Sequence, residues 1–158
     1  MTVKFHDANS EHIADLIRLN DCIQKQHADG DPEHFRYPLD TEKVRRFFSR
    51  VLEAEDNRIF LAFVDGIAVG YVWFEHGNSY ENPFTFRKKQ ILVHHIFVQE
   101  ENRHDGIASG FFDVVLAEAK SHKSEEVILN TYLENEGAQA FFKSHGFKTT
   151  KLTMRKTL

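Results

Sequence analysis

Apolar residues along this chain recur with two periods, helical and alternating, and the points where the period changes mark out the elements. Thr2–Phe5 alternates and reads as a short opening strand. Asn9 or Ser10 can cap a helix running to about Ile23, with Ile13, Leu16, Ile17 and Asn20 at helical spacing. Gln26–Pro38 holds two prolines, a glycine and many polar residues, so it reads as a loop. Asp40 or Thr41 caps a second helix, where Val44, Phe47, Phe48, Val51 and Leu52 form an apolar stripe. Arg58–Val64 and Ile67–Glu75 are strands joined by the turn Asp65-Gly66. His76–Lys89 is a polar connection, and Gln90–Val98 is an apolar central strand. A helix over Gly106–Lys120 presents Ile107, Ala108, Phe111, Phe112, Val115, Leu116 and Ala119, a stripe wide enough to lie on a sheet. Glu126–Thr131 is a strand, Gly137–Ser144 a short helix, and Phe147–Thr157 one or two closing strands. The order β-α-α-β-β-β-α-β-α-β predicts an α/β fold, a mixed sheet flanked by helices in a single domain over residues 1–158.

Composition narrows the classes. With 41% hydrophobic and 28% charged residues the chain is an ordinary globular one. Fifteen phenylalanines point to a Phe-rich core. A formal net charge of −4 speaks against a nucleic-acid partner, which favours a basic face. The single cysteine, Cys22, allows no internal disulfide and fits a reducing cytoplasm. No apolar run approaches a membrane span, and Met1–Phe5 has no signal-peptide character.

The most informative stretch follows the central strand. Arg103-His104-Asp105-Gly106-Ile107-Ala108 carries Arg-x-x-Gly-x-Ala across a tight loop into the first turn of the next helix. Small residues at 106 and 108 let backbone approach a bulky ligand, and the unpaired N–H groups of the helix start suit a pyrophosphate. The spacing is not the three-glycine dinucleotide fingerprint. Downstream, Asn135-Glu136-Gly137-Ala138-Gln139-Ala140-Phe141-Phe142, then Gly146-Phe147, forms a second motif one helix and one strand away. Together the two motifs resemble the acetyl-CoA loop and the Asn-x-x-Ala-x-x-Phe-Tyr segment of the GNAT superfamily of acyl-CoA N-acyltransferases. A nucleotide- or phosphate-binding regulatory domain would need only the loop and leaves Asn135–Phe147 unexplained.

The resemblance implies roles. Arg103, His104, Asp105, Gly106, Ile107, Ala108 and Ser109 would hold the pyrophosphate of acetyl-CoA as co-substrate. Ile96, Phe97 and Val98 would pair with the pantetheine arm like an added strand, beside a β-bulge that opens a V-shaped cleft. Asn135, with Ala138 and Phe142 of the same motif, would border that arm. The backbone N–H of Val98 would stabilise the thioester oxyanion. His94 matches a position where some relatives carry a catalytic carboxylate, which makes it the leading general base. His95, Glu100 and Glu134 are the alternatives.

Two departures stand out. Asp105 replaces a residue usually basic in relatives, and Phe142 replaces the tyrosine that protonates the leaving thiolate, for which Tyr132 or Tyr80 could substitute. The expected function is transfer of an acetyl group to a primary amine (small amine, aminoglycoside-like or peptide) by direct attack, without an acyl-enzyme. The alternative is a CoA-binding module with a sensing or structural role. The acids Asp29, Asp31 and Glu33 in the first loop would suit a cationic acceptor. Tyr80, Phe84 and Phe86 would wall the cleft or form a homodimer contact. Alternation along Gln90–Val98 puts Leu92, His94, Ile96 and Val98 on one face and Val93, His95 and Phe97 on the other. Adjacent histidines on opposite faces cannot share an ion, and no Cys/His cluster has zinc spacing, so no metal is expected.

Overall fold

In the computed structural model, which describes residues 2–158, one sheet runs in the order β1-β2-β3-β4-β5. Its strands are β1 (Val3–Asp7), β2 (Asn57–Val64), β3 (Ile67–Asn78), β4 (Lys89–Val98) and β5 (Glu126–Leu129). The first four are antiparallel neighbours, and β5 joins β4 in parallel. The helices are α1 (Ile13–Gly30), α2 (Thr41–Glu53), α3 (Ile107–Ser121) and α4 (Glu136–Ser144). Among the described residues no helix is long and apolar enough to cross a membrane.

Each face of the sheet buries its own core. Leu16 and Leu19 of α1 and Phe48 and Val51 of α2 pack on Ile59, Leu61, Ala68, Tyr71, Trp73 and Phe97. On the other face Ile107, Phe111, Val115 and Ala119 of α3 cover Ala62, Val69, Val72, Phe74, Ile91, Val93 and Val98. Phe112 turns from α3 toward Phe141, Phe142 and Phe147, so an aromatic seam joins α3 to α4. Much of the phenylalanine content packs at these interfaces.

Three boundaries differ from the sequence reading. Gln26–Pro38 is not all loop, because α1 continues to Gly30. Lys25 bonds Asp29 at 2.7 Å across one turn, Ala28 is buried, and the Asp31-Pro32 step then disfavours helix. The β3–β4 hairpin is longer than expected, with β3 reaching Asn78, and residues 79–88 form the connection. The closing strands over Phe147–Thr157 do not form. Leu152 and Met154 there stay 74% and 92% exposed, so pairing would bury no apolar surface to offset the ordering entropy. The sheet therefore has five strands.

Two bulges shape the sheet. Val69 is the extra residue where Ala62 pairs with Gly70 but Phe63 with Ala68. His94 is the extra residue where Trp73 pairs with His95 but Phe74 with Val93. Gly70 sits opposite Val98, and a Cβ there would lie 2.5 Å from the Phe97 carbonyl oxygen and 3.3 Å from the Phe111 ring. Gly70→Ala should therefore lower unfolding free energy by about 1–3 kcal/mol through overpacking against backbone. Denaturant titration of the variant checks this; an unchanged midpoint would show that the strand relaxes freely.

Candidate active site

The bulge at His94 reverses the expected facing of half the central strand. Val93 lies on the α3 face with Ile96 and Val98, not with His95 and Phe97. His94 joins His95 and Phe97 on the α1/α2 face, because one inserted residue shifts the two-residue alternation by one. His94 stacks on Trp73 with ring centres 4.2 Å apart, and His95 packs edge-on to the same indole at 5.0 Å. The expectation that the two imidazoles point to opposite faces is thus corrected.

The edge of β4 opens at the same place. β5 pairs with Gln90–Val93 only, so residues 94–98 have a strand on one side alone. Gln99 N–H donates to Val69 O at 2.8 Å, which sets the alternation of the β3–β4 ladder. Phe97 therefore faces β3, and Ile96 and Val98 direct their N–H and C=O groups to the open side. The Val98 carbonyl accepts from Arg103 Nε at 3.1 Å, folding the loop arginine back onto the strand end.

The two histidines have different environments. Asn20 Nδ2 donates to the Tyr71 hydroxyl at 3.0 Å, and that hydroxyl donates to His95 Nδ1 at 2.8 Å. Tyr71 is fully buried, and its pKa is pushed well above the usual phenol range. Burial, with smaller contributions from His94 and His27, pulls the His95 pKa down to about 4. His95 is thus a neutral, structurally committed imidazole with its acceptor nitrogen in use. His94 is partly open, 26% exposed, with Nε2 at 2.9 Å from Glu75 Oε2 on β3. Glu75 accepts an Nε2–H, which leaves Nδ1 as the free acceptor. The roof over this face comes from the end of α1: His27 stacks on Phe35 at 4.8 Å, and Tyr132, beyond β5, contacts both. Burial lowers the pKa of His27.

Beyond β4 a 3-10 turn, Glu100–Asn102, leads into the loop, with His104 at φ 68° and Gly106 at φ 78°. Gly106 occupies the N-cap of α3 without a side-chain cap, so the N–H groups of Ile107, Ala108 and Ser109 are left as free donors. Ile107 anchors the turn in the core, and Asp105 is exposed. Ser109 Oγ lies 3.2 Å from His145 Nε2, linking this turn to the end of α4. Asn135 caps α4, its Oδ1 accepting from Ala138 N at 3.1 Å, so its amide NH₂ remains as donor. Phe142 is buried against Phe112 and Phe147.

Other expected features sit elsewhere. Glu100 and Glu134 are exposed. Tyr80, Phe84 and Phe86 are 82%, 94% and 90% exposed on the hairpin connection. Asp29 and Asp31 are already engaged, by Lys25 at 2.7 Å and Arg155 at 2.9 Å. Cys22 is exposed, with Sγ on the Arg18 carbonyl. Sequence reasoning missed Glu75, Trp73, Tyr71 and Asn20. Each reaches the site by cross-strand or helix–sheet packing, which leaves no local spacing signal.

Comparison with known proteins accords with this architecture. A family model described as Acetyltransferase (GNAT) family matches residues 21–147. N-acetyltransferase 8 of Homo sapiens is 39% identical over 66 residues, covering 42% of this chain; the match spans 29% of that relative's length. A tetramutant of the BH1408 protein of Bacillus halodurans superimposes with a TM-score of 0.87 at 22% identity, with all of both chains covered. The aminoglycoside N-acetyltransferase AAC(6')-Iy, solved in complex with CoA, gives 0.77 at 19% identity, covering 99% of this chain and 95% of that one. At these identities the solved structures speak for the fold.

The state of His95 has a measurable signature. Its folded pKa of about 4 lies below the 6.5 of a free imidazole, so the unfolded chain binds a proton that the folded chain refuses between those values. Its contribution is fully present above pH 6.5 and is lost as pH falls toward 4, about 3 kcal/mol in all. His95→Gln should therefore show a stability-versus-pH slope shallower than wild type by about one proton across this window. Equal slopes, from denaturant titrations at each pH, would contradict the assignment.

Proposed function

The chain belongs to the GNAT acetyltransferase family, and from that premise we propose that it moves the acetyl group of acetyl-CoA to a primary amine by direct attack, without an acyl-enzyme. The observation that carries this reading is the meeting of two unsatisfied backbone surfaces. The free edge of β4 at Ile96–Val98 ends beside the uncapped start of α3. An extended amide-containing arm can pair with the first, and a pyrophosphate can accept from the second. Ile96 and Val98 take the arm through their outward N–H and C=O groups, with Phe97 between them turned to β3 and the amide of Asn135 as a further donor. Arg103 through Ser109 take the phosphates, and Ala138 and Phe142 of α4 border the arm beside Asn135.

The chemistry then needs a donor for the developing oxyanion and an acceptor for the amine proton. The outward Val98 N–H supplies the first, fixed by the β3–β4 ladder and in place before reaction. His94 supplies the second through Nδ1, with Glu75 as positioning residue at Nε2. An alkylamine of pKa ~10.4 costs about 4–5 kcal/mol to neutralise at pH 7, so a placed base matters. Phe142 has no proton to give, and the thiolate leaves on its own acidity, near ~8.5, with solvent as proton source. Cys22 lies on α1, hydrogen-bonded to its own helix, so no covalent route is invoked. The acceptor class is a primary amine; the aminoglycoside activity of one structural neighbour makes aminoglycosides the first class to try.

A second reading, a CoA-binding module without turnover, draws on the same Phe142 and on Asp105, an exposed carboxylate in the loop. Thiol release from acetyl-CoA across aminoglycosides, polyamines, amino acids and short peptides separates the two. Release with one amine class is expected; tight acetyl-CoA binding with no release from any class favours the module. His94→Ala should lower kcat by about 10²–10⁴-fold and leave the acetyl-CoA Kd nearly unchanged. Full turnover in that variant removes His94 as base. Asp105→Lys should tighten acetyl-CoA binding by replacing a repulsive charge with an attractive one, and an unaltered Kd would place residue 105 clear of the phosphates.

A further inference from the structure

We propose that His76, Glu118 and His122 form a binding site for a transition-metal dication of the zinc class, on the α3 side of the sheet. The inference is independent of the acetyl-transfer reading. His76 projects from the end of β3, while Glu118 and His122 lie one turn apart on α3. One ligand atom from each of the three lies within 4.8 Å of the others. His76 Nε2 is 3.2 Å from Glu118 Oε2, and His122 Nδ1 is 3.8 Å from the same oxygen. Tetrahedral ligands at 2.0–2.1 Å from zinc stand about 3.3 Å apart, so the first edge is already formed. The second requires the His122 ring to leave its stack on His76, 3.9 Å between ring centres, and its Nδ1 to give up the Glu118 carbonyl at 3.0 Å.

The donor set selects the ion. Two imidazole nitrogens and one carboxylate oxygen suit Zn²⁺, Co²⁺ or Ni²⁺, whereas Ca²⁺ and Mg²⁺ need oxygen cages. His76 Nδ1 is buried with no hydrogen-bond partner, so ligation through Nε2 moves the ring proton to a buried donor without an acceptor, a cost that binding must exceed. His76 and Glu118 are 13% and 19% exposed, while His122 is 44% exposed. That leaves the fourth position open to solvent.

One neighbour opposes the ion. Arg58 Nη1 is 3.6 Å from Glu118 Oε2, although its Nη2 is held by Asp7 at 2.8 Å. This fixed positive charge weakens cation binding and provides a test of sign. Removing it should tighten a true metal site, whereas adventitious binding to surface histidines would not respond.

The experiment is titration of the tag-free full chain with Co²⁺ followed by visible absorption, and with Zn²⁺ followed by calorimetry and thermal unfolding. Expected are one ion per chain, a visible Co²⁺ spectrum and a raised Tm with Zn²⁺. His122→Ala, at a half-exposed helix end, should weaken binding at least tenfold. Arg58→Gln should tighten it, and His6→Ala should leave it unchanged. Absence of a Co²⁺ spectrum in the wild type would overturn the proposal. So would affinity that survives His122→Ala or is lost with His6→Ala.

Discussion

A single inserted residue in β4 organises most of what is distinctive here. Pairing of β5 ends at Val93, one residue before the bulge at His94. Upstream the strand is a fully paired central member of the sheet; downstream it has one free edge. The same insertion brings His94 onto the face already held by Trp73, His95 and Phe97. A β-strand normally separates neighbouring side chains onto two surfaces, and the bulge puts two imidazoles against one indole. Backbone donors and a side-chain acceptor thus come within one short stretch of chain, supported by a core on each face.

The packing behind that stretch is polar where it could have been apolar. Asn20, Tyr71 and His95 form a buried relay in which each group satisfies the next. Such a network is stabilising only when every member is satisfied, and it fixes ring orientation where a hydrocarbon core would not. Trp73 is bound in the same way, its Nε1 donating to Asn57 Oδ1 at 2.6 Å. The surface against which His94 stacks is therefore held from behind by hydrogen bonds in two directions. By contrast the α3–α4 seam is mostly aromatic, with the Ser109 Oγ–His145 Nε2 contact at 3.2 Å as a polar link.

Much of the architecture was legible in the residues. The hairpin turn Asp65-Gly66, the Asp40 cap and the broad stripe of α3 all stand where periodicity and capping place them. The loop before α3 was readable from Gly106 and Ala108 because those positions obey local backbone rules. Facing within β4 was not, since a bulge depends on the partner strand and on nothing in Ile91–Val98 itself. Glu75 escaped notice for the same reason: its link to His94 spans two strands. The Glu118–His122 spacing was present in the chain, but His76, 42 residues before Glu118, joins them only through the sheet. The tail beyond Phe147 alternates like a strand yet finds no surface to bury.

The shortness of β5 has a consequence for how the molecule breathes. Four paired residues, the packing of Val127 and Leu129 on the core, the phenylalanine seam and the Ser109–His145 contact hold β5 and α4 to the rest, while β2 and β3 share a ladder from Asn57 to Val64. With four paired residues β5 has the shortest ladder of the sheet, although Val127 and Leu129 pack on the α3-face core. Amide hydrogen exchange in Val127–Leu129 should outpace that in Ile59–Leu61. The free edge of β4 thus lies between a long ladder to β3 on one side and the short ladder to β5 on the other.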